Sequence, residues 1–425
     1  MTMEIQASKT KYNVFPQAAS GFAALGVAPS LVEALTRLKC VNPTPIQQQA
    51  IPFATEGKDL VGIAQTGTGK TLAFGIPMLQ RLAEIKKRGL VILPTRELAL
   101  QVEESLRQIG KTLNLRTAVL IGGTSIGPQI RDLKRNPHIV IGTPGRIADH
   151  LNQKTLRLDD VGILVLDEAD RMLDMGFLPQ VQKILHVLPK ERQTMLFSAT
   201  MPDEIMKIAH FAMSLPVRVE IAPTGTTVDE VTHELFIVER EQKGTLLEKL
   251  LSERKGSVLV FTRTKYGAKK VARRLRDLSV SAAEIHSNRS LSQRTEALKG
   301  FKSGRHRVLV ATDIASRGID VVGIEMVVNY DLPSTSEDYV HRIGRTARAG
   351  AKGHAVTFAI PEEERGVRAI ERLIRKNLPI TQLPELPKLA FISNSRFFSP
   401  RRNRFPRYHG NSRRRSRNSR PRFGR

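Results

Sequence analysis

The 425-residue chain has no tryptophan, one cysteine and five tyrosines. A single thiol, Cys40, excludes an internal disulfide, and no cysteine pair with zinc-ligand spacing exists. No stretch of 18 apolar residues is present to cross a membrane, and the opening "MTMEIQASKTKYNVFPQ" lacks the apolar core of a secretory leader. These absences point to a reducing compartment, the cytoplasm. Acidic residues are missing from the end of the chain. Residues 396–425 hold twelve arginines and no Asp or Glu, so nearly half of the formal charge of +26 sits there. The charge implies a polyanionic partner, and no amphipathic apolar face accompanies it, which favours nucleic acid over membrane. Arginine rather than lysine suits phosphate forks and base stacking.

Short apolar runs alternate with amphipathic stretches: "LVGIA" (60–64), "GLVILP" (89–94), "TAVLIG" (117–122), "HIVIGT" (138–143), "VGILVLD" (161–167) and "QTMLFSAT" (193–200). A second set follows, from "GSVLVFT" (256–262) to "GHAVTFAI" (353–360). This alternation predicts two successive α/β units with parallel sheets and a cleft between them. The Pro/Gly/Thr-rich break at 223–227 marks their boundary. The expected organisation is an N-terminal extension (1–19), a first domain (20–218), a linker (219–230), a second domain (231–382) and a basic tail (383–425). Too polar to build a core, the tail is expected to be disordered.

The strongest local signal is "GIAQTGTGKT" (62–71), a phosphate loop with Ala64 in place of its first glycine. Gly67 and Gly69 let backbone N–H groups turn toward phosphates at the start of a helix. Lys70 reaches the β- and γ-phosphates, and Thr71 offers a hydroxyl to Mg²⁺. Such a loop needs a carboxylate for the metal and another for the attacking water. "VGILVLDEADRMLD" (161–174) supplies them: Asp167 for Mg²⁺ and Glu168 for water.

With these residues placed, the chain resembles the DEAD-box ATP-dependent RNA helicases of superfamily 2, particularly their bacterial RhlE-like branch. The motifs occur in consistent order from "PTPIQ" (43–47) and "AQTGTGKT" (64–71) through "PTRELA" (94–99), "GG" (122–123), "TPGR" (143–146), "DEAD" (167–170) and "SAT" (198–200). "VLVF" (258–261), "ATDIASRGID" (311–320) and "HRIGRTARAG" (341–350) follow. The resemblance implies two tandem RecA-like α/β domains that close on ATP and RNA to unwind short duplexes or remodel RNA–protein complexes. It implies an ATP site of Phe22, Gln47, Gln65, Thr66, Gly67, Thr68, Gly69, Lys70, Thr71 and Asp320, with Phe22 packing on adenine and Gln47 reading its edge. Arg345 and Arg348 would act as fingers on the γ-phosphate. Asp170, Ser198, Thr200, His341 and Arg342 would couple the domains. Pro94, Thr95, Arg96, Gly122, Gly123, Thr143, Gly145, Arg146, Arg263, Thr312 and Gly318 would contact the RNA backbone.

The chain departs from the family pattern at four places, one of them Ser316, where alanine is frequent and a small residue should be neutral. Lys39-Cys40 replace a usual Gly-aromatic pair, Ser287 follows His286 where glycine is familiar, and Leu291 stands where glutamine is common. A DNA-directed motor and a silent RNA-binding scaffold are the competing readings. Ribosome assembly, messenger decay and cold-dependent RNA unfolding all suit such a monomeric motor, with ribosomal or RNA-decay proteins as partners.

Overall fold

The computed structural model describes residues 21–65, 67–221, 231–313, 324–346 and 353–386. Seven strands form the first sheet: β1 (Leu60–Ile63), β2 (Arg88–Ile92), β3 (Thr117–Leu120), β4 (Ile139–Gly142), β5 (Val161–Leu166), β6 (Gln193–Ser198) and β7 (Val217–Glu220). Their spatial order is β3-β4-β2-β5-β6-β1-β7, with every pairing parallel. Helices cover both faces, so the strands read as continuous apolar runs rather than alternating ones. In β5 all six residues are buried: Ile163 and Val165 face one apolar cluster, Leu164 and Leu166 the other. Each such side chain contributes roughly 1.5–3 kcal/mol on burial.

Six strands form the second sheet: β8 (Val231–Ile237), β9 (Val258–Phe261), β10 (Ala282–Ile285), β11 (Val308–Ala311), β12 (Met326–Asn329) and β13 (Gly353–Ala359). The order is β10-β11-β9-β12-β13-β8, again parallel throughout. Val258 and Val260 face one cluster while Leu259 and Phe261 face another.

The boundaries differ from expectation at two points. β7 continues through Glu220 because all four of its residues pair with β1, so the first sheet outruns the expected end at 218. The second lobe extends past 382, since Leu386 packs on its core and Ile380 bridges to Leu235. The N-terminal extension, the break at 223–227 and the Arg-rich segment 396–425 lie outside the described residues.

Strand order divides the carboxyl edge of the first sheet. β5, β6 and β1 are neighbours, and they lead into the DEAD run, "SAT" and the phosphate loop. β3, β4 and β2 lead into "GG", "TPGR" and "PTRELA". The register aligns Ile63 with Ser198, and Leu166 with both Ile92 and Leu196. The catalytic-type loops therefore leave the sheet at one level, where open α/β sheets place ligands.

Candidate active site and nucleic-acid face

The phosphate loop joins β1 to the helix Lys70–Glu84. Gly67 (φ 89°) and Gly69 (φ 94°) occupy the left-handed region that favours glycine. A side chain at Gly69 would collide with Gln47. The Gln47 amide braces the loop: Nε2 donates to Gly69 O (3.0 Å) and Oε1 accepts from Thr44 N (2.9 Å). Thr44 Oγ1 donates to Thr68 O at 2.7 Å. One N–H and one lone pair of that amide are left over for a base edge. Lys70 is buried, with Nζ donating to Ala64 O (3.1 Å) and 4.0 Å from Asp167 Oδ1.

A cavity of about 410 Å³ opens in front of this loop. Gly67, Gly69, Lys70, Thr71, Asp167, Glu168 and, from the second lobe, Arg345 line its polar end. Leu38, Cys40, Leu72, Val102 and Ile109 form an apolar wall. Burial pushes the Asp167 carboxyl up to about 6; Lys70 opposes the shift, and the Glu168 and Asp170 carboxylates add to it. Asp167 Oδ1 accepts from Glu168 N at 2.9 Å. Glu168 itself is 2% exposed, adopts φ 53° and lies 3.6 Å from Arg171 Nε. A non-glycine residue there costs of order 1–3 kcal/mol, a strain that clusters at functional sites.

Asp170 turns away from the phosphate end. Its Oδ2 accepts from Ala199 N and Thr200 N, both at 3.0 Å, while its own N–H donates to Ser198 Oγ at 3.1 Å. Burial would raise this carboxyl, but Lys70, Arg171, His341 and the Thr200 N–H outweigh it and hold it below its ordinary range. Across the cleft, burial and then Arg171 depress His341 to about 3, against the pull of Asp170.

Two expected roles change in the folded chain. Phe22 is 3% exposed within the first lobe's core and is not among the residues that line the cavity. The apolar wall instead carries Cys40, preceded by Lys39 at φ 60°, where the family's glycine would rest without strain. Arg342, expected to couple the lobes, is 2% exposed inside the second lobe. It forks onto Asp313 (2.6 and 2.8 Å), donates to Asn329 Oδ1 (3.2 Å) and Asp331 O (2.7 Å), and lies over the Phe261 ring. Thr66, Gly318, Asp320 and Arg348 lie outside the described residues. Gln101, Ser105 and Gln108 also line the cavity. Their three- and four-residue spacing on the helix Arg96–Ile109 was the available signal.

The other half of the sheet edge carries the basic face. Thr95 caps the helix Arg96–Ile109, and Thr143 precedes the helix Pro144–Asn152, so two helix N-termini sit on neighbouring strands. Such ends favour phosphate. The Arg96 guanidinium lies over Gly122 and Gly123, where a Cβ at Gly123 would collide with it. Arg146 donates to Thr124 O at 3.2 and 3.3 Å, and Gly145 borders open space. Pro94 is buried beneath them. In the second lobe Thr312 follows β11, while Arg263 is paired with Glu363 at 2.8 Å and is half-exposed.

Residues 44–208 match the DEAD/DEAH box helicase family, and residues 242–350 match the helicase conserved C-terminal domain. The ATP-dependent rRNA helicase RRP3 of Debaryomyces hansenii is 43% identical over 84% of this chain and 76% of that protein. The DEAD-box ATP-dependent RNA helicase CshA of Bacillus cereus is 44% identical over 86% of this chain and 70% of that protein. The fold is similar to S. cerevisiae Dbp5 bound to RNA and ADP BeF3, with a TM-score of 0.77 and 30% identity over 86% of this chain and 96% of that one. It is also similar to Mss116p bound to ssRNA and AMP-PNP, with a TM-score of 0.79 and 28% identity over 87% and 81%. The chain belongs to the DEAD-box family of ATP-dependent RNA helicases.

Proposed function

We propose that ATP-driven RNA unwinding or remodelling is carried out at the cavity between the phosphate loop and Arg345, with RNA held on the basic edge formed by β3, β4 and β2. One observation carries this reading: Lys70, Thr71, Asp167 and Glu168 of one lobe and Arg345 of the other line a single cavity. Lys70 would exchange its bond to Ala64 O for the phosphates, and Arg345 would neutralise charge on the γ-phosphate. Glu168 would orient the water and accept its proton, and Gln47 would offer its remaining donor and acceptor to adenine.

Mg²⁺ suits the donor set. Thr71 and Asp167 are hard oxygen ligands, and Asp167 is a buried carboxylate that Lys70 compensates only in part. Mg²⁺ is commonly held by one or two carboxylates together with substrate phosphates. Bound Mg²⁺ would supply charge neutralisation during phosphoryl transfer.

Asp170, with Ser198 and Thr200 on one side and His341 on the other, would report the state of the ATP site to the second lobe. Helix N-termini, Arg96, Arg146 and Arg263 would grip the sugar–phosphate backbone, which reads shape and not sequence. The motif resemblance supports membership of the RhlE-like branch and a cytoplasmic monomer acting through domains near 20–220 and 231–386. The rRNA helicase relatives support ribosomal RNA, and with it ribosomal protein partners, as the working context.

Steady-state ATPase with no nucleic acid, with RNA and with matched DNA tests the reading in wild type and Glu168→Gln. RNA should stimulate far more than DNA, and Glu168→Gln should lose about 10²–10⁴-fold. Equal stimulation by DNA, or full activity of the variant, would overturn it.

A further inference from the structure

The helix Leu291–Lys302 begins with a capping box, Ser290 and Gln293 bonding reciprocally across its first turn. The loop before it is held by Glu284, a buried carboxylate paired with Arg289 and, at 3.2 Å, with Arg276. This helix start is therefore rigid, and it faces the other lobe. Arg294 Nη2 lies 2.8 Å from Glu97 Oε1 of the helix Arg96–Ile109, with both side chains about nine-tenths buried. Leu291, one turn earlier on the same face, packs against the apolar cluster of the first lobe.

The two contacts respond to different partners. The Arg294–Glu97 pair sits among like charges: burial depresses the Arg96 guanidinium, with Arg294 and Arg146 adding and Glu97 opposing. Arg96 and Arg294 thus share Glu97, while Arg146 also pairs with Asp149 at 3.6 Å, and a phosphate backbone on Arg96 and Arg146 would relieve the remaining excess. The ionic contact is coupled to RNA. An apolar contact carries no such dependence.

We propose that Leu291 is a positioning residue for lobe closure, an apolar catch beside the Arg294–Glu97 pair that holds the lobes together independently of charge. Glutamine at this position would leave this helix's contact with the first lobe to the ionic pair alone, and so to RNA. The leucine keeps the closed form accessible at lower RNA concentrations. The inference rests on the functional reading above in taking RNA to bind the edge that carries Arg96 and Arg146 and to stimulate the ATPase, and the γ-phosphate to engage Arg345.

The experiment compares wild type, Leu291→Gln and Leu291→Ala in two measurements. RNA titration of the ATPase should show the half-stimulating RNA concentration rising about fivefold, the effect of half-burying one leucine, with kcat at saturating RNA within about twofold. Fluorescence anisotropy should show RNA affinity falling by the same factor with ADP–beryllium fluoride. With ADP alone, where no γ-phosphate mimic draws Arg345 in, affinity should be unchanged. Unchanged titrations, or equal losses in both nucleotide states, would overturn the catch. Absence of RNA stimulation in wild type would instead overturn the functional reading.

Discussion

Replacing Arg342 should unfold the second lobe selectively, and the structure sets the size of the effect. Among the described residues its guanidinium makes four hydrogen bonds, two to Asp313 and one each to Asn329 Oδ1 and Asp331 O. Asn329 is fully buried, and the Asp313 side chain is 16% exposed. Arg342→Met would fill most of the volume but remove the guanidinium that Asp313, Asn329 Oδ1 and Asp331 O share. Breaking one partner from a buried pair costs about 3–5 kcal/mol. Arg342→Lys keeps the charge but loses the fork, so roughly half that cost is expected. The chain's own composition supplies the assay. There is no tryptophan, and all five tyrosines lie outside residues 21–221, so tyrosine emission reports on Tyr330 and Tyr339 of the second lobe. With a urea m-value of about 2 kcal/mol/M, Arg342→Met should lower the tyrosine midpoint by about 2 M. The part of the far-ultraviolet dichroism change that belongs to the first lobe should stay in place, since tandem domains unfold separately. An unmoved tyrosine transition would refute the reasoning; so would an equal shift of both lobes, which would make Arg342 an interlobe coupler after all.

Two further outcomes follow from the same structure. Cys40→Tyr adds a ring to the apolar wall of the ATP cavity, and base–aromatic stacking is worth about 1–3 kcal/mol. KM for ATP should fall at least about fivefold with kcat little changed, and an unchanged or higher KM would remove Cys40 from the base end. His354 gives the second lobe a pH dependence. Burial holds its pKa down to about 4, with Arg254 and His233 adding, against the pull of Glu325; Glu234 Oε1 lies 3.2 Å from its Nε2. The unfolded chain takes this proton near the ordinary 6.5 and the folded chain only near 4, so stability is complete above 6.5 and declines as pH falls between those values. Tyrosine-detected urea midpoints at pH 7.5 and 4.5 should differ less in His354→Gln than in wild type; an equal or larger difference would contradict the assignment.

Much of the site was legible because its signals are local. A phosphate loop is specified by glycines that must turn and a lysine that must follow at a set offset, and β5 is specified by an unbroken apolar run ending in carboxylates. These choices depend on residues within a few positions, so Lys70, Thr71, Asp167 and Glu168 were readable in order. The α/β alternation was readable for the same reason. Side-chain destinations across the fold were not. Phe22, Cys40 and Leu291 are apolar or nearly so, and nothing nearby says whether each goes to a core, a cavity wall or the other lobe.

Tertiary structure decided those cases through strand order and lobe contact. Placing β5, β6 and β1 side by side turns Asp170 onto the "SAT" amides, and the meeting of the lobes brings Arg345 into the cavity that Glu168 lines. Arg342, three positions before Arg345, is turned inward onto Asp313, because the helix Ser336–Ile343 presents it to the second sheet instead of the cleft. The linear chain thus determined which chemistry is present and on which turns it sits. Which charges meet which partners depended on packing between residues far apart in sequence, and local periodicity carries no record of that.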